Sequence, residues 1–86
     1  MPEISLFYGI RITMYWDEHN PPHFHAEYAG NKALIDINSV CVIRGALPKP
    51  QLLQVLSWAT LHAEELAANW ELARLNRELI RINPLR

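Results

Sequence analysis

The hydrophobic residues of this chain change their period once, near Pro48. Before that point they recur at every second residue, in short runs broken by glycine and proline. From Leu52 onward they recur every three to four residues. A period of two belongs to strands with one buried face, and a period near 3.6 to a helix with one buried stripe. Strands followed by helix pack as two layers, so the expected fold is α+β. It is an antiparallel sheet of about five strands packed on one long C-terminal helix, in a single domain over residues 1–86. So short a chain buries only about 60% of its unfolded surface. Its expected stability is therefore modest unless it oligomerises.

Ile4, Leu6 and Tyr8 alternate with Glu3, Ser5 and Phe7 as a first strand, which Gly9 interrupts. Ile10, Ile12, Met14 and Trp16 alternate with Arg11, Thr13 and Tyr15 as a half-buried second strand. Pro21 and Pro22 cannot donate to a ladder, so the third strand begins after them. His23–Ala29 and Lys32–Ile37 read as a hairpin turning at Gly30-Asn31, residues that tolerate positive φ. That turn sets His25 opposite Asp36 and Phe24 opposite Ile37. Phe24, Ala26, Tyr28, Ala33, Ile35 and Ile37 then share one face, and His23, His25, Glu27, Leu34 and Asp36 the other. Val40–Arg44 forms a fifth strand, in which the lone Cys41 reads as a small buried hydrophobe.

Pro48 and Pro50 suit the first turn of a helix over about residues 49–75. Leu52, Val55, Leu56, Ala59, Ala63, Leu66, Ala67, Trp70 and Ala73 face the sheet, with His62 at the flank of this stripe. Leu61, Ala68, Leu72 and Leu75 form a second apolar line, either a partner surface or a face covered by the C-terminal tail. The tail Glu78–Ile82 reads as a last short strand.

Residues 17–27 gather three histidines and three carboxylates around two prolines. Residues two apart on a strand point the same way, so His23, His25 and Glu27 share a face. His-x-His is a workable pair of metal ligands, and a carboxylate can complete the set. The sequence therefore allows a divalent metal on His23 and His25, with His19 or Asp17 from the loop. It equally allows acid–base chemistry: Asp36, with its Cβ about 5 Å from that of His25, would orient the imidazole. Arg11 and Tyr15 would bind an anion. A polar outer sheet face with structural histidines is the third reading.

The net charge of -1 gives no footprint for nonspecific nucleic-acid binding. No apolar run approaches the ~20 residues needed to span a membrane. One cysteine forms no internal disulfide, and no signal peptide opens the chain, so a cytoplasmic location is expected.

The string Ile4-Ser5-Leu6-Phe7-Tyr8-Gly9, then Met14-Tyr15, then His19-Asn20-Pro21-Pro22-His23-Phe24-His25-Ala26-Glu27-Tyr28 resembles a small bacterial family, domain of unknown function 4160. Gly45-Ala46-Leu47-Pro48, Trp58, His62 and Asn69-Trp70-Glu71-Leu72-Ala73 extend the resemblance over nearly the whole chain. Asn38-Ser39-Val40-Cys41-Val42 departs from the more polar, glycine-containing segment of that family. The resemblance implies no established activity. It does imply a frequent gene neighbour, domain of unknown function 2442, and hence a two-gene module of toxin–antitoxin or other two-component type.

The first expectation for function is thus a protein-interaction component of such a module. Leu61, Ala68, Leu72 and Leu75 would meet the neighbouring gene's product or a second copy of the chain. The alternative is a small hydrolase or ribonuclease, metal-dependent or not, using the histidine and carboxylate cluster at residues 17–36. A nucleic-acid-binding regulator comes third, weakened by the charge.

Overall fold

A computed structural model describes residues 3–16 and 18–85. Five strands, β1 (Glu3–Phe7), β2 (Ile10–Thr13), β3 (His23–Tyr28), β4 (Asn31–Asp36) and β5 (Cys41–Gly45), form one antiparallel sheet in the order β1-β2-β3-β4-β5. Two helices follow, α1 (Lys49–Leu61) and α2 (Ala63–Arg74). The architecture is α+β, as the change of period implies, with two helices in place of the single long one. Among the described residues no helix is long and apolar enough to cross a membrane.

The hairpin between β3 and β4 turns one residue earlier than the sequence reading places it. Ala29 and Gly30 occupy the corner, with φ of 49° and 84°, and Tyr28 pairs with Asn31. Positive φ at both central residues is the signature of a type I′ turn, whose twist matches the strands it joins. Moving a hairpin's centre by one residue slides its pairing by two, and two is the side-chain period. Both faces therefore survive while every partner changes. His23, not His25, lies opposite Asp36, and His25 lies opposite Leu34.

In β1, Ile4 is an extra residue between the Glu3–Thr13 and Ser5–Ile12 pairs. This bulge flips the alternation beyond it, as bulges do. Ser5 and Phe7 turn to the core, while Leu6 is exposed. Phe24, Ala26, Ala33 and Ile35 from β3 and β4 meet Val55, Trp58, Ala59, Leu66 and Trp70 from the helices. Trp58 is fully buried against Phe7 (5.3 Å between ring centroids) and Phe24 (5.7 Å), whereas Ala67, expected against the sheet, is exposed. Cys41 is exposed rather than buried, because β5 is an edge strand. Val40 takes φ 52°, a conformation unfavourable to a β-branched residue.

The helices part at His62, whose φ of -115° and ψ of 29° are not helical. Its Nδ1 donates to Glu65 Oε1 at 2.6 Å, and its ring packs on Trp58 at 5.6 Å. Glu64 and Glu65 stand in the first turn of α2, where carboxylates complement the helix dipole. The break places Leu61 on a different helix from Ala68, Leu72 and Leu75. Leu61 and Leu75 are 72% and 56% exposed, Ala68 is exposed and Leu72 half-buried. At the far end of α2, Arg77 N–H donates to Leu72 O and Asn76 N–H to Ala73 O. With Asn76 at φ 57° this is a Schellman cap.

Residues 77–85 form an irregular strap rather than the expected strand. Asn69, 1% exposed, grips it twice: Nδ2 donates to Ile80 O at 2.7 Å, and Oδ1 accepts from Ile80 N–H at 2.9 Å. Trp58 Nε1 donates to Asn83 O, and Trp16 Nε1 to Arg77 O. Ile82 is buried, and its N–H donates to Ile4 O at the edge of the sheet.

Candidate metal centre

The loop that links β2 to β3 carries Glu18 and His19 and ends in Pro21-Pro22. Ile37 N–H donates to Pro22 O, tying the loop's end to the neighbouring turn. His23 follows as the first residue of β3. Its Nδ1 lies 2.8 Å from Pro21 O. A carbonyl only accepts, so Nδ1 carries the hydrogen, and in the neutral form of the ring Nε2 is a bare lone pair. That Nε2 is buried without a hydrogen-bond partner among the described residues, 3.5 Å from Glu18 Oε1.

His25, two residues on, donates from Nε2 to the same Glu18 Oε1 at 2.7 Å. One ligand atom from each of Glu18, His23 and His25 lies within 4.8 Å of the others. Donors in a tetrahedral site with ~2.0 Å bonds stand about 3.3 Å apart, so small side-chain adjustments would suffice once the ligating nitrogen of His25 is free of its hydrogen. Burial pushes the Glu18 carboxyl up. The His25 hydrogen bond, aided by the positive charge that either imidazole carries when protonated, outweighs it and holds the group below its ordinary value. Glu18 is thus kept as a carboxylate, the form that binds a cation.

Packing fixes the imidazoles. Trp70 of α2 and His25 flank the His23 ring at 5.3 and 5.4 Å, and Tyr15 stands edge-on to His25 at 4.8 Å. A cleft of about 380 Å³ opens beside the cluster, lined by Tyr15, Glu18, His19, Trp70, Ala73 and Arg74. A second hollow of about 280 Å³ lies on the outer face of the sheet and includes Tyr15, His25, Glu27 and Lys32.

Of the residues expected at the site, His23 and His25 converge, and Tyr15 and His19 border them. Asp36 does not join. The turn at Ala29-Gly30 removes it from His25, and its Oδ1 accepts from Asn38 N–H at 2.8 Å and Ser39 N–H at 2.9 Å. Glu27 lines the outer hollow and is not one of the three converging groups. Arg11 is engaged with Glu3 at 3.2 Å. Asp17 lies outside the described residues. No sequence pattern assigns Glu18 to the site, because a loop has no period to place its side chain, although it sits inside the histidine-rich segment. Trp70 and Arg74 reach the cleft from the helix layer, which the strand pattern does not reveal.

A family model described as Domain of unknown function (DUF4160) matches residues 9–71, which hold the whole cluster. No curated protein and no solved structure matches the chain.

Proposed function

We propose that this chain, which belongs to the DUF4160 family, holds a divalent metal ion on Glu18, His23 and His25 and serves as a small metal-dependent hydrolase. The observation that carries this reading is His23. Metal-binding histidines almost always donate their second nitrogen to a carbonyl or carboxylate, which fixes the tautomer and aims the free lone pair at the ion. His23 has that arrangement, and its buried Nε2 has no other partner among the described residues. A buried nitrogen left bare costs about 1–3 kcal/mol, a cost that a bound cation would recover.

Two imidazoles and one carboxylate are a donor set of catalytic zinc sites, in which a fourth position stays open for water or substrate. Such an ion would supply a water acidified to a pKa of about 7 and a Lewis acid for the substrate. Tyr15, His19 and Arg74 then line the space in which a substrate would sit. The test is to purify the protein without a histidine tag, strip it with chelator and titrate zinc, nickel and manganese. One equivalent should bind and raise the melting temperature, with a change in tryptophan emission from Trp70. Glu18→Gln and His23→Gln should abolish both effects. Absence of stoichiometric binding and of any thermal shift would overturn the proposal.

A second reading, a protein-interaction component of a two-gene module, is favoured by Leu61 and Leu75, which are 72% and 56% exposed. Coexpression with the neighbouring small gene should yield a complex that Leu75→Asp weakens. A complex indifferent to both Leu61→Asp and Leu75→Asp would dismiss this surface.

A further inference from the structure

We propose that the cleft beside Glu18 is an anion subsite and that the substrate is a phosphate ester; this rests on the metal reading above. The charge balance points there first. A divalent ion with one carboxylate and two neutral imidazoles leaves a net positive centre, even though the chain as a whole is at -1. The cleft wall away from the sheet adds Arg74. Its Nε and Nη2 both donate to a single oxygen of Glu71, Oε1, at 3.3 and 2.8 Å. Nη1 has no protein partner among the described residues, so the guanidinium keeps a free edge for an oxyanion, the geometry in which arginine excels.

Arg74 stands at the C-terminal end of α2, where the helix dipole by itself disfavours an anion. The Schellman bonds from Asn76 and Arg77 occupy the Ala73 and Leu72 carbonyls, which removes them from the cleft's polar inventory. His19 adds a further nitrogen donor on the loop side, and Trp70 and Tyr15 supply aromatic walls. The volume of about 380 Å³ is that of a small-molecule site.

In the reaction a water oxygen bonds to phosphorus while the bond from phosphorus to the leaving alcohol oxygen breaks. The electron pair stays on that oxygen, which ends with the proton the water gives up. The products are an alcohol and a phosphate. A monoester and a phosphodiester share this chemistry, and the experiment separates them.

Zinc-loaded protein is assayed on p-nitrophenyl phosphate, bis(p-nitrophenyl) phosphate and the neutral p-nitrophenyl acetate, with inorganic phosphate as competitor. At least one phosphate ester should be hydrolysed, and phosphate should inhibit. Arg74→Gln should raise KM for that ester on the order of tenfold or more, and Arg74→Lys should recover part of the loss. Zinc affinity should not change, and KM for the neutral acetate ester should rise less than KM for the phosphate ester. Greater activity on p-nitrophenyl phosphate identifies a monoester site, and greater activity on the bis ester a diester site. Zinc binding without phosphate-ester turnover, or turnover indifferent to Arg74→Gln, would overturn this inference alone. A failure to bind zinc would remove the metal reading and this one with it.

Discussion

Replacing His23 with phenylalanine separates a functional histidine from a structural one. The ring is 6% exposed and lies between Trp70 and His25, so an aromatic replacement keeps most of the packing. Two polar terms change. The Nδ1 hydrogen bond to Pro21 O disappears, a net loss of about 1 kcal/mol, limited because Pro21 is exposed and its carbonyl can turn to water. The partnerless Nε2 disappears as well, which relieves a desolvation cost of about 1–3 kcal/mol. The 3.5 Å approach to Glu18 contributes little while His23 is neutral. The sum runs from no change to roughly 2 kcal/mol of stabilisation. Urea unfolding at pH 8 in the presence of chelator measures it, and zinc titration of the same variant should show no binding. A loss above about 2 kcal/mol in chelator would mean that His23 is held for folding, and the reasoning about its bare nitrogen would fail.

Three further outcomes are expected. Asn69→Ala removes both bonds to Ile80, costing about 1–3 kcal/mol, or roughly 4–8 °C of melting temperature per kcal/mol; limited proteolysis should then cut the strap first, and an unchanged melting curve would refute its anchoring role. Asp36→Ala should cost a similar amount. The Ser39 backbone N–H, opposed by burial and aided by the Asn38 N–H, holds the Asp36 carboxyl below its ordinary value of 3.8, so its charge-dependent contribution is complete above that pH and fades as pH falls below it. The gap between wild type and variant should narrow in acid unfolding below pH 3.8, and a gap that widens there would contradict the sign. Gly45→Ala should destabilise by more than about 2 kcal/mol in chemical denaturation, since φ is 79° and the new Cβ would strike the Lys32 carbonyl; a neutral result would show that β5 shifts freely.

The periodic features were legible and the local exceptions were not. Pro48 and the spacing after it located the start of α1 at Lys49, because a helix announces itself over many residues. The two faces of β3 and β4 were legible even with the wrong turn, since a slip of one residue in the corner preserves parity. What parity hides is the partner, which is why Asp36 was set against His25. The bulge at Ile4, the corner residue Ala29 at positive φ and the break at His62 are single-residue events, and each overrides a pattern read across its neighbours. His-x-His came through because strand alternation fixes it. The third group, Glu18, depends on the path of a loop. Glu65 three residues after His62 resembles the spacing of a capping box and was a readable sign that the helix restarts there.

The strap has a consequence for the nascent chain. The ribosome makes β1 first, and Ile4 and Glu3 wait at the sheet's edge until Arg81 and Ile82 emerge to meet them. During synthesis the sheet therefore presents two open edges, β1 and β5, and an unpaired edge is a template for pairing with another chain. A product that stops short of residue 80 would hold the complete Glu18, His23 and His25 cluster yet leave β1 uncapped. Arg81 and Ile82, remote from the chemistry, thus cover the β1 edge, while β5 stays open to a neighbour.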